Sequence, residues 1–185
     1  MKKLLNPLLI LFFLAILLII SCQKEDMSAE TAPEYFGKAQ ALLNGSVWET
    51  DVRSRMSLFE DDNMFLLNIE KFSGAGIRIN KLTIVQLPLS ERFFILRPYN
   101  VRDTATCSFG SFLSDGDVFG NYYVLDTTDL FSDWVSIDHF DPLTLEFNGR
   151  FEASMLRDTS LPAFDPSLPD TIVFTNGVFN GKITR

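Results

Sequence analysis

Two hydrophobic patterns divide this chain. From Leu8 to Ile20 the apolar residues run without a break, whereas beyond Lys38 they repeatedly alternate with polar ones at a period of two and almost never at helical spacing. The alternation is clearest from Leu143 to Met155, where Leu143, Leu145, Phe147, Gly149, Phe151, Ala153 and Met155 share one face and Thr144, Glu146, Asn148, Arg150, Glu152 and Ser154 the other. A two-residue turn at Asn148-Gly149 would destroy that segregation, so the pattern predicts one long strand with a bend or bulge at Gly149. At Asn176-Gly177 the same test favours a C-terminal hairpin, because folding there pairs Phe174 with Phe179. Further strands are expected at Lys38 to Leu43, Val47 to Arg53, Met64 to Phe72, Ile77 to Leu87, Arg92 to Arg97, Tyr122 to Leu125 and Trp134 to Phe140. Turn residues at Asn44-Gly45, Glu60 to Asn63, Ser73 to Gly76 and Asp141-Pro142 separate many of them. Phe93 to Leu96 is apolar on both faces, which predicts a covered central strand.

Two longer connections remain. Asp103 to Asn121 is rich in Gly, Ser and Asp yet carries Phe109, Phe112 and Phe119, rings that could contact a partner or tuck back over the core. Arg157 to Asp170 holds three prolines and is expected to be a stiff surface excursion. With 18 Phe in the chain and abundant Ile, Val and Thr, the fold class expected is all-β: a single antiparallel β-sandwich or calycin-like barrel.

The unbroken apolar run has a different meaning. As a helix it would span roughly 20 Å, too short for a bilayer core, and it follows Lys2-Lys3, so it reads as a secretory leader to be cleaved. It ends at Ser21-Cys22, which resembles the lipobox of bacterial lipoproteins, where the cysteine is acylated and becomes the mature N-terminus. Gln23, Lys24, Glu25 and Asp26 then resemble the export signal of Bacteroidota-type surface lipoproteins. These likenesses imply a signal peptide over 1–21, a lipidated cysteine and tether over 22–35 and a β domain over 36–185, attached to the outer membrane by its lipid and facing the exterior.

Charge narrows the partners. Removal of Lys2 and Lys3 leaves 14 basic residues against 24 acidic ones, a balance that opposes nucleic-acid binding and assigns membrane attachment to the lipid. If Cys22 is acylated, Cys107 has no disulfide partner and is expected to be a small buried hydrophobe. The one His, His139, has no nucleophile elbow beside it, and one His with one free Cys makes no familiar zinc site. Glu146 and Glu152 share a strand face about 20 Å apart, too far to cleave a glycoside together. Calcium could find ligands at Asp115-Gly116-Asp117 or Glu60 to Asn63, but neither follows the EF-hand pattern. The expectation is therefore no enzyme and no cofactor.

The domain also resembles a family of small Bacteroidota lipoproteins known only as a domain of unknown function. The likeness rests on Ala39 to Trp48, on Trp134 to Asp141, on the strand holding Asn148 to Ala153, and on Phe174 to Phe179; residues 55–133 match weakly. It implies a fold and offers no catalytic residues. The function expected is a binding module or an accessory subunit partnered by an outer-membrane protein. The alternatives are a calycin-like barrel holding an apolar molecule and, less favoured, a carbohydrate-active enzyme.

Overall fold

Asn44 and Gly45 both take positive φ, 49° and 79°, the turn geometry whose twist matches that of paired strands. They join β1 (Lys38–Leu43) to β2 (Ser46–Met56) with Leu43 opposite Ser46. The structure is a computed structural model and describes residues 36–56, 63–98, 104–113, 116, 118–128 and 132–184. After β2 come β3 (Met64–Phe72), β4 (Arg78–Pro88), β5 (Arg92–Ile95), β6 (Thr106–Phe112), β7 (Phe119–Leu125), β8 (Trp134–Phe140), β9 (Glu146–Arg157) and β10 (Thr171–Thr184).

Eight of these strands close into an antiparallel barrel, in the order β1, β2, β3, β4, β6, β7, β9, β10 and back to β1. The all-β expectation thus resolves to its barrel form. β9 is long enough to take two neighbours on one edge: β7 pairs near its end, with Leu125 opposite Met155, and β8 along its first half, with Val135 opposite Phe151. β5 pairs with β8. β1 is a wedge. Beyond its Lys38 end, β10 and β2 meet directly in a short parallel pairing, Ile183 opposite Ser54 and Thr184 opposite Arg55.

Alternation sends one face of each strand inward. Trp48 and Val52 of β2 meet Leu67 and Ile69 of β3, Leu82 and Ile84 of β4, Phe151 and Met155 of β9 and Phe174 of β10, all buried. Phe174 is the hub: its ring lies 5.0 Å from Trp48, 5.4 Å from Phe109 and 5.9 Å from Phe151. A second group joins Phe147 to Phe65 at 5.1 Å and to Phe179 at 5.9 Å. Rings at these spacings occupy the barrel interior as a packed core.

Three expectations are corrected. No hairpin forms at Asn176-Gly177; β10 runs straight through, with a bulge between Phe174 and Gly177 and Asn176 at φ 53°. The extra residue shifts the inward positions from Ile172 and Phe174 to Phe179 and Ile183, so a bulge brings Phe174 and Phe179 to one side just as a hairpin would. A Cβ on Gly177 would lie 2.5 Å from the Phe151 ring, which explains the glycine there. Secondly, Phe93 to Leu96 is no central strand. β5 stands at the end of the strand order, where Phe94 packs on the core and Phe93, 55% exposed, stacks on Trp134 at 5.5 Å. Thirdly, Asp103 to Asn121 is largely the β6–β7 hairpin rather than a loop.

Smaller differences have local causes. β9 is one strand through Asn148-Gly149, as expected, but the irregularity lies opposite, in β8 between Ile137 and His139; Gly149 is required because a Cβ would fall 2.0 Å from the Ser136 carbonyl oxygen. Leu143 lies outside the strand, 92% exposed in the turn that follows Asp141. Leu130-Phe131, where the sequence also suggests a short turn of helix after Asp126 to Asp129, lies outside the described residues.

Candidate functional site

One end of the barrel is roofed by the chain itself. Residues 158–170 leave β9 and cross the end of the β6–β7 hairpin before β10 begins. The strap is tied down at two buried residues of β7. Asn121 Nδ2 donates to the Asp165 carbonyl at 2.8 Å while its Oδ1 accepts from the Asp165 N–H at 3.2 Å, and the Tyr123 hydroxyl donates to the Pro169 carbonyl at 2.9 Å. Ser160 and Ser167 each donate to an aspartate two residues earlier, which fixes the two bends of the strap. The segment expected to be a mere surface excursion is therefore part of the barrel's closed end.

Beneath the strap lies a pocket of about 300 Å³ walled by Leu43, Ile79, Phe112, Leu113, Leu168 and Ile172. Its floor is the aromatic core, and its polar groups include Asn80, whose Oδ1 accepts from Trp48 Nε1 at 3.0 Å. Larger hollows lie on the outer wall: one of about 810 Å³ near β1 and one of about 430 Å³ over β4, β6 and β7. The strapped pocket shares mainly apolar walls with the second of these but differs from both in standing at the end of the barrel, the usual place for a small ligand in this architecture.

The three rings expected on a contact loop are not on one. Phe109 points into the core from β6, 4% exposed; Phe112 ends β6 half-buried, with the Arg78 guanidinium 5.0 Å from its ring centre; Phe119 begins β7 opposite Phe112. Phe112 lines the pocket's wall and Phe109 its floor. Leu43, Ile79 and Leu168, which complete it, come from separate segments. No spacing in the sequence connected them.

Elsewhere the chemistry is sparse. His139 Nδ1 lies 3.0 Å from a carboxylate oxygen of Glu91, with both side chains exposed on the outside. Cys107 is buried, and its thiol pKa is pushed well above 9.0, first by burial and then by the charge of Asp133. Asp138 is held below the ordinary carboxylate range, chiefly by hydrogen bonding from Arg150, whose Nε lies 2.7 Å away. Among the described residues, no group of three or more His, Cys, Asp or Glu could hold a metal ion, and no helix is long and apolar enough to cross a membrane. Cys22, Gln23, Lys24, Glu25 and Asp26 lie outside the described residues, as do Glu60 to Asp62, Asp115 and Asp117. Compared with family models, curated proteins and solved structures, the chain matches none.

Proposed function

We propose that this chain is a surface lipoprotein whose barrel is a rigid binding module or accessory subunit, held at the outer membrane through acylated Cys22. The observation that carries this reading is the orientation of the barrel. Its inside is a packed aromatic core, while the outward positions of β1, β2 and β9 include Lys38, Gln40, Glu49, Arg53, Arg55, Glu146, Asn148, Arg150 and Glu152. A membrane-spanning barrel needs the reverse, an apolar band facing lipid. Such a domain needs an anchor supplied from elsewhere, and the leader, Cys22 and the Lys24-Glu25-Asp26 stretch fit that need.

The filled interior favours contact through surfaces over storage of a large apolar molecule inside. Labelled palmitate should enter the native chain and not a Cys22→Ala variant; equal labelling removes the anchor. Protease added to intact cells should degrade the protein. Purification in mild detergent should recover a stoichiometric membrane partner, and isolation as a lone monomer counts against the accessory role. The strapped pocket favours a second reading, a binding module for a small apolar molecule. Its occupant would replace solvent against Phe112, Leu168 and Ile172 without disturbing the core.

A further inference from the structure

We propose that the outer wall formed by β10, β2, β3 and β4 binds the phosphate headgroups of an anionic membrane surface. Lys182, Arg53 and Arg55 stand together where β10 and β2 meet in parallel, because Ile183 lies opposite Ser54, Thr184 opposite Arg55, and these side chains alternate outward. None of the three has a carboxylate within ion-pairing distance among the described residues, whereas Lys38, Arg150 and Arg157 are paired with Asp51, Asp138 and Asp170. Beside them, Arg78 and Lys81 lie 3.3 and 3.8 Å from one oxygen of Glu70, a carboxylate with no exposed surface. Five cations thus share a wall on which the acid between β2 and β4 is sunk beneath them. Asp51, opposite Glu70 on β2, is occupied by Lys38; Glu49, the remaining outward acid of β2, lies four residues before Arg53; Glu146, opposite Lys182 on β9, makes no ion pair with it.

The field at Lys81 reports the same imbalance. Its ammonium is made easier to deprotonate first by burial; Glu70 opposes this, but Arg78, Arg53 and Arg55 all add to it. A charge of the opposite sign placed over the wall would relieve that repulsion. The acidity of the chain as a whole does not forbid this, because charges more than about 8 Å apart are largely screened at physiological salt. Overall charge makes membrane attachment by anything other than lipid look unfavourable; the local arrangement supplies a second contact. The two or three chains expected on Cys22 would hold the domain at a membrane, and a basic patch would orient it there by its attraction to anionic headgroups.

This inference rests on the envelope location proposed above but not on acylation itself, and vesicle flotation separates the two. The full chain would be mixed with vesicles of phosphatidylcholine alone or with added phosphatidylglycerol. Each cation near an anionic surface contributes about fivefold in affinity, so the native chain should prefer the anionic vesicles by at least about tenfold, with the preference vanishing in high salt. The triple variant Arg53→Ala, Arg55→Ala, Lys182→Ala should lose the preference while keeping its attachment to neutral vesicles and its circular dichroism spectrum. A control with the same loss of charge, Arg92→Ala, Arg150→Ala, Arg157→Ala, should keep it. Equal binding of the native chain to both vesicles overturns the proposal, as does loss of preference in the control. Displacement by millimolar inorganic phosphate at constant ionic strength also overturns it, in favour of a discrete free-phosphate site. Cys22→Ala should lose attachment to neutral vesicles, which tests the anchor, and keep salt-sensitive binding to the anionic ones; loss of both overturns the proposal.

Discussion

Cys107 shows how far a single residue follows its surroundings. It faces inward from β6 opposite Ile84, 6% exposed, and both burial and the nearby Asp133 charge disfavour its thiolate. Since the thiolate is the reactive form, iodoacetamide at pH 8 should leave the native protein unmodified and label it rapidly once denaturant is added, as read by mass shift. The folded thiol keeps its proton at a pH where the unfolded chain releases it. Its contribution to stability is therefore complete below about pH 9 and is lost as pH rises beyond that value. Alkaline melting curves should fall less steeply for Cys107→Ala than for the native chain; identical slopes would show that the thiol plays no part. The sequence made this residue legible, because a lone Cys without a disulfide partner behaves as a small hydrophobe. Its acidic neighbour across the fold, Asp133, was not legible.

Among the elements, the strap makes the most direct prediction. Asn121→Ala removes both hydrogen bonds to Asp165, at a cost of about 0.5–1.5 kcal/mol each. Limited proteolysis should then cut between Ser160 and Phe164 faster than in the native chain while the β-sheet spectrum is retained; unchanged cleavage would mean that Tyr123 and Pro169 suffice. The elements whose bounds were readable from sequence were those punctuated by turn residues: β1 before Asn44-Gly45, β3 between Asn63 and Ser73-Gly74, and β8 before Asp141-Pro142 begin and end where expected. β6 escaped because Ser108, Gly110 and Ser111 mimic a loop, although Cys107 and Phe109 keep the period of two. At Asn176 the pattern was equally compatible with two answers, since a one-residue bulge and a two-residue turn both reset which residues share a side. Phe93 to Leu96 misled for another reason: an apolar outer face can be covered by one neighbouring ring, here Trp134, without a second layer. The strapped pocket was the least readable feature, because its walls are contributed by residues as distant as Leu43 and Leu168.

For the molecule as a whole, one ring should decide whether the barrel behaves as a unit. Phe174 touches the aromatic rings of β2, β6 and β9 and is fully buried, so Phe174→Ala should cost about 3–5 kcal/mol. That is a large share of the roughly 5–15 kcal/mol available to a typical domain. Urea unfolding followed separately by tryptophan fluorescence and by circular dichroism should show one shared midpoint moved downward; two separated transitions would mean that the two aromatic groups unfold independently. The seam beside β1 carries a further consequence. β10 grips β9, β1 and β2 at once, so a chain emerging from a ribosome stays an unfastened ribbon until this strand arrives. Closure is thereby a late event, in which three separate edges are zipped together by one segment.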